Sequence, residues 1–469
     1  MSKPNVLVIF TDDQRFDTIR SLGNERIHTP NIDRLVERGT TFTQAHIPCG
    51  THGAICMPSR AMLHTGRSLF HLYDSGSSIP HDHTMLGETL RGAGYGTWGA
   101  GKWHNGREAF NRSFDDGDEI YFGGMADHWN VPAYHYDPSA KYDKQLAYIP
   151  EPMAFGNNNI AWRDCDHIHA GCHSSEILCE AAADHIRQHD GKQPFFTYVA
   201  LLAPHDPRTM PQKFLEMYPF DQQELPPNCL GAHPFDNGSL HIRDELLAEF
   251  PRTPEELRRH NAEYYAMITH LDHEVGKILD ALDDKGLTDD TIIVFAGDNG
   301  LAVGQHGLMG KQNCYEHSVH VPLIFAGPGI PQNHRTDAYV YLFDIYATLC
   351  ELLEIDCPTS VDGTSLVPAM HDGSELVRDY LYFAYISTQR AVKSRTHKLI
   401  EYRVRDKEPQ TQLFDISRDP WEQHNLIERS ELSGVFHELQ EQLHTYRDDW
   451  EAGFTGRGST FWEKYAATT

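Results

Sequence analysis

The sequence predicts an α/β protein: a large central mixed, mostly parallel sheet flanked by helices, then a smaller C-terminal α+β subdomain containing an antiparallel sheet. Three observations lead there. Asn5 to Phe10 is an apolar run of six that stops at Asp12-Asp13, the length of a buried strand and too short for a signal-peptide core or a membrane span. Further on, helical periodicity gives way to short apolar runs: Ser174 to His189 feeds Pro194 to Leu202, and Pro254 to Leu282 precedes Thr291 to Phe295, as strand–helix units do. Near Ile355 to Pro368 the composition shifts. Beyond it Leu381 to Ile386, Ala391 to Ser394, His397 to Tyr402 and Gln412 to Asp415 read as short strands before a helical stretch from Leu432 to Trp450. The expected division is 1–360 and 361–469.

Composition bounds the function. With 469 residues and 40% apolar content the chain is long enough for one large core and a smaller one. A formal charge of −27 argues against nucleic acid and anionic membrane as partners, since both need a basic footprint. Any anionic substrate must therefore be drawn by a local cluster of cations. Nine cysteines without regular spacing do not describe a disulfide framework. Cys165, Cys172 and Cys179 are seven apart, but with no second pair nearby they read as packing rather than a zinc site. On the sequence given the protein is expected to be cytoplasmic, or periplasmic or secreted if a leader has been removed.

In chain order, the first strand delivers Asp12 and Asp13 at its carboxyl end, where open α/β sheets place ligands. Adjacent carboxylates repel unless a cation lies between them; alone, the pair would read as a solvated acidic turn. Thr29-Pro30 opens a helix that Gly39 ends, and Thr41 to Ile47 reads as a strand leading through an insert, Pro48 to Ile55, to Cys56. From Cys56 to Arg67 a cysteine precedes Pro58, Ser59 and the fixed cation Arg60 in the first turn of a helix. Proline costs little there, and a helix start favours an anion, so the stretch suits sulfate or phosphate chemistry. After the helix Thr84 to Ala93, a glycine-rich segment carries Lys102 and His104, two apart and so facing one way when extended. Asn105 to Cys172 has no clear period and many turn signals, in the manner of a specificity-bearing insertion. His205 lies in Pro204-His205-Asp206-Pro207 after an apolar run, and Asp298-Asn299-Gly300 after another.

Cys56, Pro58, Ser59, Arg60, Leu63, Thr65, Gly66 and Arg67 together resemble the signature of the type I sulfatases of the alkaline phosphatase superfamily. The stretch TPNIDRLVERGTTF, the Gly-Lys-x-His of Lys102 and His104, the Pro-His setting of His205, Asp298-Asn299-Gly300, the Lys311 to Ile324 segment and Leu413 to Leu426 extend the resemblance over almost the whole chain. It implies that Cys56 is oxidised to formylglycine by a maturation enzyme, and that Asp12, Asp13, Asp298 and Asn299, with the modified Cys56, hold a hard cation, calcium first and magnesium second. It further implies that Arg60, Lys102 and Lys311 neutralise the sulfate. In the family the aldehyde hydrate offers one hydroxyl to attack sulfur, His205 or Lys311 protonates the leaving oxygen, and His104 takes the proton of the second hydroxyl to expel sulfate. Ala296, Gly297, His317 and Ser318 depart from the usual pattern, the last two at an expected pocket wall.

The implied function is hydrolysis of a small-molecule or oligosaccharide sulfate ester. The alternatives are a phosphonate monoester or phosphodiester hydrolase of the same superfamily, an arylsulfatase or choline-sulfatase, and a binding protein that has kept the fold. Tyr121, Phe122, Trp129, Tyr134 and Tyr136 in the insertion, with Tyr73-Asp74, would suit a sulfated sugar. They would equally serve to pack the insertion.

Overall fold

A computed structural model describes residues 3–150, 159–371 and 377–466. Its centre is an eight-stranded sheet in the order His334–Thr336, Gly39–Phe42, Leu323–Ala326, Thr291–Gly297, Asn5–Thr11, Phe195–Ala200, Gly96–Lys102, Asp116–Tyr121. The pairings of Leu323–Ala326 with its two neighbours are antiparallel and the other five are parallel, so the sheet is mixed and mostly parallel. Strands buried on both faces read as continuous apolar runs. In Asn5–Thr11 the residues alternate between two cores: Leu7 and Ile9 pack with Leu178, Met267 and Leu271, while Val6, Val8 and Phe10 pack with Met62 and Leu63.

The helices that cover the first face are Pro30–Arg38, Ser174–Gln188 and Pro254–Asp284. The last of these starts where its sequence directs. Thr253 accepts a hydrogen bond from the Glu256 N–H through its Oγ1 at 3.2 Å, Pro254 fills the first position, and Glu255 and Glu256 face the positive end of the helix.

The second sheet contains Leu381–Tyr385, Gln389–Lys393, His397–Tyr402 and Gln410–Asp415, paired antiparallel, with the helix Ser433–Trp450 burying Leu439 and Leu443 nearby. Its edge is completed by Cys49–Gly50, which runs parallel to Leu381–Tyr385. The insert before Cys56 is thus a strand of the C-terminal sheet, and the two parts of the chain share that sheet.

Two other elements differ from expectation. The strand expected over Thr41 to Ile47 is broken into Gly39–Phe42 and Ala45–His46. The insertion supplies the outermost strand of the central sheet, Asp116–Tyr121, after a short helix Arg107–Ser113. That strand shows no apolar run because it lies at the sheet edge and opens with Asp116, Gly117, Asp118 and Glu119.

Candidate active site

Register decides where the candidate residues emerge. Phe10 pairs with Ala296 and Thr11 with Gly297, so Asp12 and Asp298 leave adjacent parallel strands side by side. The Asp298 N–H donates to the Thr11 carbonyl at 2.9 Å, and the Asp12 N–H to the Ala203 carbonyl at 3.1 Å. The departures Ala296 and Gly297 sit inside the strand and leave Asp298 in place. Phe195–Ala200 ends just before His205, and Gly96–Lys102 ends at Lys102. The carboxyl ends of four neighbouring strands therefore converge, and the helix Cys56–Thr65 brings Cys56, Ser59 and Arg60 to the same point.

The cluster is dry. Asp12, Asp13, Asp298, Asn299, Arg60 and Lys102 are fully buried, and Cys56 is 2% exposed. Arg60 donates to the Asp298 carboxylate at 2.9 Å and to that of Asp12 at 3.3 Å, and also to the Lys102 carbonyl at 2.8 Å. The Lys102 and Lys311 ammonium groups pair with Asp12 and Asp13 respectively. Asn299 donates to Asp13 at 2.7 Å, and Ser59 to the Asp298 carbonyl at 2.6 Å. Around the Cys56 Sγ stand Lys102 Nζ at 3.4 Å and His104 Nδ1 at 3.5 Å. Asp13 and His104 hold φ of 64° and 69°, a left-handed backbone that non-glycine residues adopt at a cost and that collects at functional sites. His104 is pinned further by Gly124 of the insertion, where a Cβ would come within 2.9 Å of the imidazole.

Charge and burial set the protonation states. Burial raises Asp13 to about 6 against the pull of Lys311. It raises Asp298 to about 7, and the neighbouring Asp12 charge adds to this. Burial also disfavours charge on Asp12, but Lys102, Arg60 and Lys311 outweigh it and hold that carboxyl well below the usual range. The Cys56 thiol is pushed up by burial, with Lys102 and Lys311 opposing only in part, which disfavours the thiolate. Burial and Lys102 drive His104 down to about 2, and burial and Lys311 drive His205 well below its ordinary value. Both shifts favour the neutral imidazole. His205 Nδ1 lies 2.8 Å from the Asp206 carbonyl and must donate to it, which leaves Nε2 as the free acceptor.

The donor set fits a hard cation. Asp12 Oδ1, Asp13 Oδ2 and Asn299 Oδ1 are buried and have no hydrogen-bond partner, a costly state for an oxygen without a cation. Ligand atoms of Asp12, Cys56 and Asp298 lie within 4.8 Å of one another. The three carboxylates Asp12, Asp13 and Asp298 are matched by the three cations Arg60, Lys102 and Lys311, so a divalent ion would leave the cluster with a positive excess suited to an anion.

Above the cluster opens a cleft of about 310 Å³ lined by Cys56, His104, His205 and Lys311, with Gly124 and Met125 from the insertion and Arg243, Asp244, Gln312 and Tyr385 at its sides. Arg60 is not among the lining residues: it lies behind the carboxylates, and its contacts hold Asp12 and Asp298 in position. The aromatic residues expected to meet a sugar are also absent from the described lining. Tyr121 and Tyr134 are 6% and 3% exposed, with Tyr121 donating to the Met125 carbonyl and Tyr136 to that of Phe114. Phe122 packs on Tyr134, and Trp129 lies edge-on to His173. These residues pack the insertion instead. Tyr73 is exposed and Tyr73-Asp74 is likewise not at the cleft. His317, with Arg15, Phe16 and Trp421, lines a different cavity of about 280 Å³, away from the wall expected for it. Arg243 and Asp244 escaped sequence reasoning because they lie in an irregular segment with no periodicity. Gln312 was within reach as the neighbour of Lys311.

With this geometry established, comparison with known proteins identifies the lineage. Residues 4–355 match the family described as Sulfatase, and residues 304–449 match the C-terminal region described for N-sulphoglucosamine sulphohydrolase. The chain is 28% identical over 486 residues to an arylsulfatase of Clostridium perfringens (strain 13 / Type A), covering 100% of this chain and 99% of that protein. In fold it is similar to a protein solved in complex with its substrate D-glucosamine-2-N,6-O-disulfate, with TM-score 0.76, 20% identity and coverage of 96% and 99% of the two chains. It is also similar in fold to the phosphonate monoester hydrolase of Agrobacterium radiobacter, with TM-score 0.72, 21% identity and 96% of each chain covered. A family match across three quarters of the chain, joined to this convergence of strand ends, makes it a member of the sulfatase family in the alkaline phosphatase superfamily, and thus a sulfuric ester hydrolase.

Proposed function

We propose that this sulfatase removes sulfate from a sulfated carbohydrate, using formylglycine made from Cys56 and a divalent cation, calcium or magnesium, held by Asp12, Asp13, Asp298 and Asn299. The observation that carries the reading is the placement of Cys56 at the floor of a cleft whose other lining includes His104, His205 and Lys311. The bound cation would supply Lewis-acid stabilisation of charge on the sulfate oxygens. As formylglycine hydrate, residue 56 would offer a nucleophilic hydroxyl and a second hydroxyl whose deprotonation releases the product.

The surrounding side chains divide the remaining work. Lys102, next to residue 56, stabilises negative charge at that atom. His104, 3.5 Å from Sγ, is placed to take a proton there. Lys311 and His205 reach the cleft beside the carboxylates, where the leaving oxygen must be protonated. Either the Lys311 ammonium or His205 would give that proton. Arg243, Asp244 and Gln312 add donors and acceptors of the kind that sugar hydroxyls require, and the glucosamine-disulfate complex of the structural relative supports a carbohydrate rather than a small alkyl sulfate.

Peptide mass spectrometry of protein made with a formylglycine-generating enzyme should find Cys56 oxidised. Parallel assays on sulfated mono- and oligosaccharides, an aryl sulfate, choline sulfate and an aryl phosphonate should give the highest kcat/KM on a sulfated sugar. Full activity with an unmodified thiol would refute the nucleophile, and highest efficiency on the phosphonate or on choline sulfate would refute the substrate class.

A further inference from the structure

On the edge of the central sheet, away from the cleft floor, the insertion gathers a second set of ligating groups. Glu119 sits opposite a register shift between Ala100 and Gly101. It holds φ of 51°, so this bulge re-aims one side chain at the sheet rim. Its carboxylate is nearly buried, the residue being 7% exposed. One oxygen lies 3.0 Å from His167 Nε2 and the other 2.8 Å from His169 Nε2. His167 and His169 are two apart on a segment that bridges to Ala133, which places both rings on one side.

The other nitrogen of His167 faces the Asp166 carboxylate, which accepts but cannot donate, so that Nδ1 carries the proton. Nε2 of the same ring lies 3.0 Å from a carboxylate oxygen, and the hydrogen bonds to Glu119 and Asp166 raise the imidazole to about 9. Two acceptors face each other unless the ring takes a second proton or a cation stands between them.

We propose that Glu119, His167 and His169 form a second metal site, for a borderline divalent cation such as zinc, that fastens the insertion to the rim of the central sheet. The three ligand atoms, one from each residue, lie within 4.8 Å of one another, a spread that small side-chain shifts could bring to the roughly 3.3 Å that separates ligand atoms around a tetrahedral zinc. Asp166 on His167 Nδ1 supplies the outer carboxylate that orients metal-bound histidines. Two imidazoles and one carboxylate suit zinc, whereas the all-oxygen set at Asp12, Asp13, Asp298 and Asn299 suits calcium. The two sites would sort their ions by ligand chemistry. A cation at Glu119 ties the rim strand to the His167–His169 segment, five residues before the Gly124 that pins His104.

The test uses full-length protein saturated with calcium, titrated with zinc in competition with a chromophoric chelator. Wild type should hold one zinc with a Kd of about 1 µM or below. Asp166→Asn should weaken it by roughly tenfold through the outer ligand, and His169→Gln, at a half-exposed ring, should abolish it. Zinc should also slow proteolysis within 122–173 in wild type and not in His169→Gln. Zinc affinity unchanged in His169→Gln, or a wild type that holds no zinc and in which His167 serves only as a protonated bridge between Glu119 and Asp166, would overturn the proposal.

Discussion

Each buried carboxylate beside Cys56 has a cation on one oxygen, and Asp12 and Asp13 leave the other oxygen bare. Removing Asp12 or Asp298 should therefore cost ion and turnover together: Asp12→Ala and Asp298→Ala are expected to lose bound calcium by atomic absorption and to be inactive on any sulfate ester. Lys311→Ala and His205→Ala should keep the ion but lose about a hundredfold or more in kcat. That loss should grow as the leaving group of an aryl sulfate series becomes poorer if the two residues protonate the leaving oxygen as proposed. An equal loss across the series would remove them from that role. Arg60 behaves differently at the same scale, since it bonds to the carboxylates and lies outside the cleft lining.

At the scale of the element, the strand Gly96–Lys102 depends on one glycine. Gly101 has φ of 85°, and a Cβ there would stand 1.9 Å from the Ala200 carbonyl, so neither the backbone conformation nor the spacing admits a side chain. Gly101→Ala should cost about 2–4 kcal/mol and displace Lys102, seen as a lowered Tm together with a fall in kcat, while Gly191→Ala, at an open turn with nothing within 4 Å, should leave kcat unchanged. The ends of such strands were legible in the sequence because apolar runs terminate in charged or amide residues: Phe10 before Asp12, Phe295 before Asp298, Leu202 before His205. Asp116–Tyr121 was not, since an edge strand needs apolar residues on one side only. The aromatic residues of the insertion left two readings open because a sugar platform and a packed loop use the same side chains, and only the fold tells which rings face the cleft.

Across the whole molecule, burial has been imposed on many of the 30 histidines. His64, with neither ring nitrogen bonded, is lowered to about 3 by burial and Arg60. Burial also lowers His306 to about 3, His46 to about 4 with help from Lys393, and His185 to about 4. Folded pKa values below the unfolded value of about 6.5 mean that the unfolded chain binds more protons, so the stability these rings allow is present above pH ~6.5 and is lost as pH falls toward 3–4. Each can add a slope of up to about 1.4 kcal/mol per pH unit. Thermal melts between pH 7.5 and 4.5 should show Tm falling steeply below pH ~6.5, and His64→Leu should flatten that fall; a Tm independent of pH over this range would contradict the assignment. The same scale shows what the sequence division at residue 360 could not: Cys49–Gly50 belongs to the C-terminal sheet, and a two-residue strand carries no periodicity to reveal its partner.

That shared strand sets a clock on biosynthesis. Cys56, 2% exposed, lies six residues beyond Gly50, whose ladder partner Tyr385 leaves the ribosome more than three hundred residues later. Until then the segment before the cysteine lacks its neighbour in the sheet, and afterwards the thiol is reached only through the cleft. If Cys56 is oxidised as proposed, an enzyme that needs the surrounding segment extended would have to act in the interval between the two, in competition with the closing of the chain, so that faster folding of the C-terminal sheet would yield more protein and less enzyme.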